Sequence, residues 1–332
     1  METRPRILVT GGAGYIGSHT CKQLFRAGFE PVTYDDLSRG HAFLVRHGPV
    51  IEGRLHDRMV LRAVLREVRP LACMHFAAFA YVAESVSNPA LYYDNNVVGS
   101  LILFEELIAA KVTYLVFSST CAIYGQAKTV PIREDAPMRP LSAYGRSKLI
   151  VENMLADFDD AYGLRSVSLR YFNAAGADPD GELGEVHSPE PHLLPRALMA
   201  AAGVIPALQV NGDDFSTVDG TAVRDYTHVC DLADAHVLAL RHLLDGGTSD
   251  RFNLGLGQGH SVREVIQAVH RVTGREVPVV IGSRRQGDPA EVVADASKSE
   301  RVLGFRPRYT GMEEMVAHAW RWFSEHGFAE GA

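Results

Sequence analysis

The sequence predicts an α/β fold: a doubly wound parallel sheet with a smaller C-terminal lobe for substrate. Three observations predict it. Strand-like and helix-like segments alternate through the first half, a glycine-rich turn joins the first strand to the first helix, and the texture changes after Asn173 to loops and short inserts.

The segments run in this order. Residues 6–10 form a short β-rich apolar run closed by Gly11. Residues 15–27 have helical periodicity, with Gly28 as the stop. A second strand is expected at 31–34, and a helix at 59–68 with Leu61, Val64, Leu65 and Val68 on one stripe. Strands at 71–76, 113–118 and 166–170 alternate with helices at 91–110 and 142–162. Residues 178–195 are rich in Gly, Pro and acids and are expected to be loop. Helices are then expected near 194–202, 231–244, 262–273 and 312–324. The domain expectation is a nucleotide-binding unit over 1–173, to which about 226–254 returns, and a smaller lobe from 174–225 and 255–332.

The 332 residues suffice for one large domain or two modest ones sharing a cleft. A formal net charge of −7 and scattered arginines argue against a nucleic-acid binder. The four cysteines, Cys21, Cys73, Cys121 and Cys230, lie far apart without a CxxC pair. They support neither structural zinc nor a disulfide framework, so no metal is expected and reduced thiols in a cytoplasmic protein are the plain reading. No signal peptide is recognisable, and no apolar run approaches the roughly 18 residues of a spanning helix.

Between the first strand and first helix stands TGGAGYIG, in which Gly11, Gly14 and Gly17 give a GxxGxxG spacing. Glycine permits the tight turn and lets a diphosphate approach bare backbone, while the helix N-terminus offers free N–H groups and a positive dipole end. A strand before and a helix after are the context that makes this a Rossmann-type dinucleotide site rather than a plain turn. Asp35 closes the second strand 18 positions beyond Gly17. A carboxylate there accepts from ribose hydroxyls and repels a 2′-phosphate, which favours NAD over NADP. Asp36 is its possible substitute, and the bland alternative for Asp35 is a solvated turn residue.

Tyr144 and Lys148 are four apart at the start of the expected 142–162 helix, so both face one side. A free tyrosine, with a pKa of about 10, is a poor base at neutral pH. A nearby ammonium and the positive nicotinamide of NAD are expected to lower that value. Thr120 ends the FSST strand at the carboxyl edge of the sheet, where ligands bind in such folds. YxxxK alone is a common helix-surface pattern; its order after the glycine loop, Asp35 and Thr120 is what gives it meaning.

That order resembles the extended short-chain dehydrogenase/reductase family, and within it the UDP-glucose 4-epimerase group. The segments that carry the resemblance are 10–20 (TGGAGYIGSHT), 75–85 (HFAAFAYVAES), 92–97 (YYDNNV), 117–125 (FSSTCAIYG), 142–148 (SAYGRSK), 169–176 (LRYFNAAG), 219–229 (DGTAVRDYTHV) and 284–288 (RRQGD). They span nearly the whole chain in the family's order.

The resemblance implies a two-lobed fold holding NAD and a UDP-sugar, with reversible oxidation at C4 of the sugar through a 4-keto intermediate. It makes Tyr144 the base, places Thr120 on the sugar near the reacting hydroxyl, and gives Lys148 the nicotinamide ribose. Gly11, Gly14, Tyr15, Ile16, Gly17, Asp35, Asp36, Leu55, Phe76, Ala77, Ala78, Asn96, Ser118 and Tyr171 match positions near the cofactor. Asn173, His192, Leu193, Asn211, Arg224, Arg285 and Asp288 match the UDP-sugar side. Arginines suit a diphosphate because a guanidinium pairs bidentately with phosphate oxygens. The plain alternative for Arg224 is an ion pair with Asp225 or Asp231, and for Arg285 a solvated loop charge.

Several positions depart from the family pattern. Gly53-Arg54 stands where a Gly-Asp pair usually meets the adenine, which puts that contact in doubt. Ala80-Tyr81 replaces a lysine of some members, and HFAAFAYVAES is closer to members acting on UDP-pentoses. Asn211 replaces a uracil-side aromatic, and His192 replaces an asparagine, as pocket wall or as a loop histidine without a ligand. Val292 stands where a larger residue often limits room beside the sugar, which opens space for a 2-acetamido group unless it merely packs.

The resemblance therefore implies interconversion of UDP-glucose and UDP-galactose in galactose metabolism, with a UDP-xylose/UDP-arabinose or dual-specificity enzyme as the alternative. A 4,6-dehydratase of the same family carries Asp-Glu after the matching threonine; here Cys121-Ala122 follows Thr120. A non-catalytic NAD-sensing protein on this fold typically loses the Tyr/Lys pair, which this chain keeps. A homodimer is expected by resemblance, through the helices near 91–110 and 145–161, with Leu101, Leu103, Phe104 and Leu107 as apolar residues that a core would also explain. No membrane or nucleic-acid partner is expected.

Overall fold

The computed structural model describes residues 4–285 and 287–328. Gln286 of the 284–288 segment and residues 329–332 of the expected C-terminal lobe lie outside these.

The chain opens with β1 (Arg6–Thr10), α1 (Tyr15–Arg26), β2 (Glu30–Asp35), β3 (Val50–Glu52), α2 (Arg58–Val68) and β4 (Ala72–His75). It continues with α3 (Val82–Ser87), α4 (Pro89–Tyr92), a π-helical stretch (Tyr93–Val98), α5 (Gly99–Ala109), β5 (Tyr114–Thr120), α6 (Ala143–Tyr162) and β6 (Arg165–Tyr171). After β7 (Asn173–Ala175) come α7 (Leu193–Ala202), β8 (Leu208–Asn211), β9 (Val223–His228), α8 (Val229–Leu244) and β10 (Asp250–Leu254). The chain then forms β11 (Gly259–Ser261), α9 (Val262–Thr273), β12 (Val279–Gly282), β13 (Glu291–Val292), α10 (Ser297–Leu303) and α11 (Met312–His326).

The large sheet has seven strands in the order β10-β6-β5-β4-β1-β2-β3, and every pairing in it is parallel. Successive side chains of a strand point to opposite faces, and β1 shows the consequence. Ile7 and Val9 pack with Leu24 of α1 and Leu232 and Leu240 of α8. Leu8 packs on the other face with Leu61 of α2, Leu103 of α5 and Val151 of α6. Burial on both faces is why β1 reads as a continuous apolar run rather than an alternating one. Strand order reverses between β4 and β1, so the carboxyl ends of these strands open the crevice in which such sheets bind ligands.

α8 and β10 return to the large sheet, whereas β9 pairs with β7, β11 and β13 in a second, four-stranded sheet. A further core joins Leu194 and Leu198 of α7, Val265 and Val269 of α9, and Met315 and Trp322 of α11. Among the described residues no helix is long and apolar enough to cross a membrane.

Three expectations change. The single helix over 91–110 is three pieces: α4 with Pro89 at its start, the π-helical stretch and α5. Strand β3 and the short strands β7 to β9 and β11 to β13 join the expected elements. Leu103, Phe104 and Leu107 are fully buried in the core, so of the four apolar residues considered for a dimer face only Leu101 is exposed.

Candidate active site

Glycine shapes the turn after β1 by close approach. A Cβ on Gly11, whose φ is +74°, would stand 2.5 Å from the Ala77 nitrogen, and one on Gly17 would stand 2.3 Å from the Gly11 carbonyl oxygen. Gly14 differs: a Cβ there would meet only the Gly11 oxygen, at 3.4 Å, so its outer side is open. It precedes α1 without any side-chain cap, leaving the N–H groups of Tyr15 and Ile16 at a bare helix N-terminus. An open glycine before an uncapped helix fits the diphosphate of a dinucleotide. The Tyr15 side chain points elsewhere, its hydroxyl donating to the Gly176 carbonyl at 2.6 Å.

Asp35 ends β2 beside this turn. Its carboxylate accepts from the Ala13 N–H at 3.0 Å and the Leu37 N–H at 2.9 Å. Burial raises its pKa and those two N–H groups act against the rise. Each carboxylate oxygen keeps a further acceptor site for a ribose hydroxyl. Asp36 is occupied by the Ser38 N–H and hydroxyl, and Arg54 reaches it at 3.6 Å. The arginine that stands where the family usually has an acid thus lies over Asp36, while Tyr34 donates to the Arg54 carbonyl at 2.9 Å. Leu55 is buried in the core on that side.

Beyond β4, the Phe76 and Ala77 N–H groups both donate to the Thr10 carbonyl, at 2.8 and 3.1 Å, which holds Phe76, Ala77 and Ala78 against the glycine turn. Asn96 lies in the π-helical stretch and is 2% exposed. It accepts from the Phe79 N–H at 2.8 Å and donates to the Phe79 carbonyl and the Ser147 hydroxyl, both at 3.0 Å. Irregular helical turns of this kind occur frequently at functional sites.

Tyr144 and Lys148 are placed by the start of α6. The Ser142 hydroxyl accepts from the Gly145 N–H at 3.1 Å and caps the helix, so Tyr144 falls in the first turn and Lys148 one turn later. The Lys148 Nζ donates to the Ser118 carbonyl at 2.7 Å and lies 4.8 Å from the Phe117 ring centre. The Ser118 hydroxyl meets the Tyr171 phenol, and the Thr120 hydroxyl lies near enough to the Tyr144 phenol to act on its pKa. Thr120 also accepts from the Ala122 N–H at 3.1 Å. Ser118, Thr120, Tyr144, Lys148 and Tyr171 therefore form one constellation at the carboxyl ends of β5 and β6.

Its electrostatics differ from the expectation. Burial pushes the Tyr144 phenol up to about 12, and only the neighbouring Thr120 hydroxyl acts downward. Burial pushes Lys148 down to about 7, against the opposing charge of Glu152. The protein alone does not create a phenolate; it creates a desolvated phenol and a desolvated amine. A positive charge brought by the cofactor would add to that of a protonated Lys148 in stabilising a phenolate.

Glu152 sits one turn beyond Lys148, 6% exposed, and pairs with the fully buried Arg170 at 2.9 and 2.5 Å. The Ser119 hydroxyl donates to the same carboxylate at 2.5 Å, and Arg170 also donates to the Tyr124 hydroxyl at 2.9 Å. Sequence reasoning missed Ser119, Tyr124, Glu152 and Arg170. The available signal was the i, i+4 spacing of Glu152 from Lys148.

On the second sheet, Arg224 of β9 donates to Asp288 at 2.5 Å and to the Val223 carbonyl at 2.7 Å. Neither Asp225 nor Asp231 is its partner. Asp225 accepts from the Leu256, Gly257 and Ala294 N–H groups, and Asp231 accepts from those of Arg308 and Tyr309. The Arg224 charge lowers the Cys121 thiol pKa, against the larger rise that burial causes. The Arg285 side chain is exposed, and its carbonyl accepts from the Asp288 N–H at 3.1 Å. Asn173 donates to the Asp225 carbonyl at 3.0 Å. Val292 pairs in register with Arg224 and packs with Ile123, Tyr124 and Phe172. Asn211 accepts from Gln209 at 3.3 Å, and Arg284, stacked 4.3 Å over Phe215, lies past the Gly212 turn. Leu193 opens α7, while the His192 imidazole is turned onto Glu185 and Glu190.

A doubly wound parallel sheet with an open glycine turn at its switch point, an acid closing β2 and a Tyr/Lys pair at the next crevice edge defines a dinucleotide-dependent enzyme. Comparison with known proteins carries this further. The chain belongs to the NAD dependent epimerase/dehydratase family, whose model matches residues 7–255. It is 49% identical over 319 residues to a UDP-glucose 4-epimerase of Rhizobium leguminosarum bv. trifolii, covering 96% of this chain and 97% of the relative. The crystal structure of UDP-glucose 4-epimerase from Brucella ovis in complex with NAD superposes with a TM-score of 0.94 at 50% identity, covering 97% of this chain and 98% of that one. The UDP-glucose-4-epimerase from Stenotrophomonas maltophila with bound NAD and formylated UDP-arabinopyranose gives a TM-score of 0.94 at 42% identity, covering 97% and 98%. The cofactor of this chain is NAD.

Proposed function

We propose that this chain is an NAD-dependent 4-epimerase of UDP-sugars that interconverts UDP-glucose and UDP-galactose. The observation that carries this reading is that the first turns of α6 set Tyr144 and Lys148 against the end of β5, beside Thr120, in a crevice where Cys121 and Ala122 come next. A proton acceptor for one hydroxyl is present. The cysteine thiol is pushed by burial up to about 12, so no acid–base pair stands there to expel water from the sugar.

Bound NAD supplies the acceptor and donor of hydride at C4 of the sugar. Tyr144 takes the proton of the 4-hydroxyl, and the Thr120 hydroxyl orients that oxygen. Lys148, held by the Ser118 carbonyl, binds the nicotinamide ribose and steadies the charge that develops on Tyr144. Arg224 and Arg285 hold the diphosphate while the oxidised sugar turns over. Once the sugar has turned so that the other face of C4 would take back the hydride, Tyr144 returns its proton to the 4-oxygen. Gly11, Gly14, Gly17, Asp35, Phe76 and Asn96 serve the dinucleotide; Asn173, Leu193, Asn211 and Asp288 serve the UDP-sugar.

A UDP-pentose activity is the second reading. It is favoured by the likeness to the Stenotrophomonas maltophila enzyme holding formylated UDP-arabinopyranose and by the HFAAFAYVAES segment. We place the protein in the cytoplasm, in galactose metabolism, as a homodimer whose face includes the exposed Val98, Leu101 and Ile150 of the π-helical stretch, α5 and α6. The lobes we assign are 1–173 with the α8–β10 return, and 174–225 with 255–332. Incubation with UDP-galactose, UDP-xylose and UDP-N-acetylglucosamine, followed by separation of the products, tests the function. The reading predicts UDP-glucose from UDP-galactose, and inversion of none of the three contradicts it.

A further inference from the structure

The segment between β7 and α7 gathers Glu185, His187, Glu190 and His192, spaced E-x-H-x-x-E-x-H. One potential ligand atom from each lies within 4.8 Å of all the others. The two carboxylates are buried, each 5% exposed, while the side chains of His187 and His192 are 17% and 47% exposed. Cysteine spacing, which argued against structural zinc, does not bear on a set built from nitrogen and oxygen.

Both imidazoles present Nδ1 to the same two carboxylates. His192 Nδ1 stands 2.8 Å from Glu185 and 2.9 Å from Glu190. His187 Nδ1 stands 3.2 Å from Glu185 and 3.4 Å from Glu190. In a tetrahedral site with bonds of about 2.0–2.2 Å, neighbouring ligand atoms stand about 3.3–3.6 Å apart. The two His192 separations and the His187–Glu185 one are shorter than that range and the His187–Glu190 one falls within it, so the side chains would open slightly around an ion.

Orientation separates a metal site from a plain ion-pair cluster. The His187 Nδ1 is buried and close to two carboxylates, yet makes no well-directed hydrogen bond to either. A ring nitrogen aimed between two carboxylates is placed as ligands around a shared centre are placed.

We propose that Glu185, His187, Glu190 and His192 form a four-ligand site for a divalent transition metal of the zinc type. Two imidazoles and two carboxylates suit zinc better than calcium or magnesium, which take oxygen ligands. With all four positions supplied by the protein, the site is closed and its role is structural. It fastens the segment that leads into α7, and so fixes Leu193 and the N-terminus of that helix.

The NAD-loaded chain, purified without a metal-affinity resin, is stripped with a chelator and titrated with zinc chloride, and in parallel with cobalt chloride as an optical probe. The expected result is one equivalent bound per chain, the strong visible absorption of tetrahedral cobalt, and a higher Tm with zinc. His187→Gln and Glu190→Gln should each weaken binding at least about tenfold, with NAD content used to verify the fold. No uptake by the wild-type chain, or uptake undiminished in folded variants, overturns the proposal. Should both variants fail to fold, the wild-type cobalt spectrum decides: a tetrahedral band at one equivalent supports the site, and octahedral or absent absorption overturns it. These readouts do not depend on epimerase activity.

Discussion

The Lys148 ammonium nitrogen stands 2.7 Å from the Ser118 carbonyl oxygen, tying the first turns of α6 to the end of the strand that carries Thr120. The bond fixes the amine where burial disfavours its charge, lowering its pKa to about 7.

A stability consequence follows from that lowering. An unfolded lysine titrates near about 10.4. Between about 7 and that value the folded protein holds fewer protons than the unfolded chain, so stability from this group rises with pH. Below about 7 the buried charge costs stability. Lys148→Met should therefore raise the Tm of NAD-free protein at pH 6, by the equivalent of about 1 kcal/mol or more, and the gain should shrink by pH 9. Thermal melts at the two pH values measure this; an equal difference at both contradicts the assigned pKa.

Glu152 and Arg170 should behave as a buried pair. Glu152→Gln leaves the fully buried Arg170 charge without its carboxylate and should destabilise by about 3–5 kcal/mol. Replacing both with apolar residues of similar size should cost less than that single change. A double-mutant cycle by denaturant unfolding reads the coupling, and additive costs would show that the two do not act as a unit.

Gly17→Ala tests the turn that receives the dinucleotide. The new Cβ would stand 2.3 Å from the Gly11 carbonyl and 2.9 Å from the Gly12 Cα, both backbone atoms that cannot swing away. The turn must open, so NAD retained through purification should fall at least about tenfold, an effect of about 1.4 kcal/mol. Absorbance and extraction of the cofactor measure it; full retention would show that the turn can yield.

The sequence made the nucleotide half legible because local patterns carry it: β1, the glycine turn and α1 are set by glycine spacing and apolar runs. The 91–110 region read as one helix because its apolar residues continue through the π-helical stretch, which turns Asn96 toward Phe79 and Ser147. Strands such as β13, two residues long, depend on distant partners and leave no periodicity. Nothing local in the sequence marks Glu152, because its partner Arg170 is on another element. Likewise Leu103, Phe104 and Leu107 offered no sign of whether a core or a partner chain covers them, and the core does.

The central claim is that Tyr144 moves the proton at C4. Tyr144→Phe keeps the ring and removes only the hydroxyl beside Thr120. The most direct measurement is turnover of UDP-galactose by this variant, beside its Tm and NAD content. The account predicts a fall in kcat of about 10²–10⁴-fold with fold and cofactor retained. Epimerisation at a rate near that of the wild-type chain would contradict it.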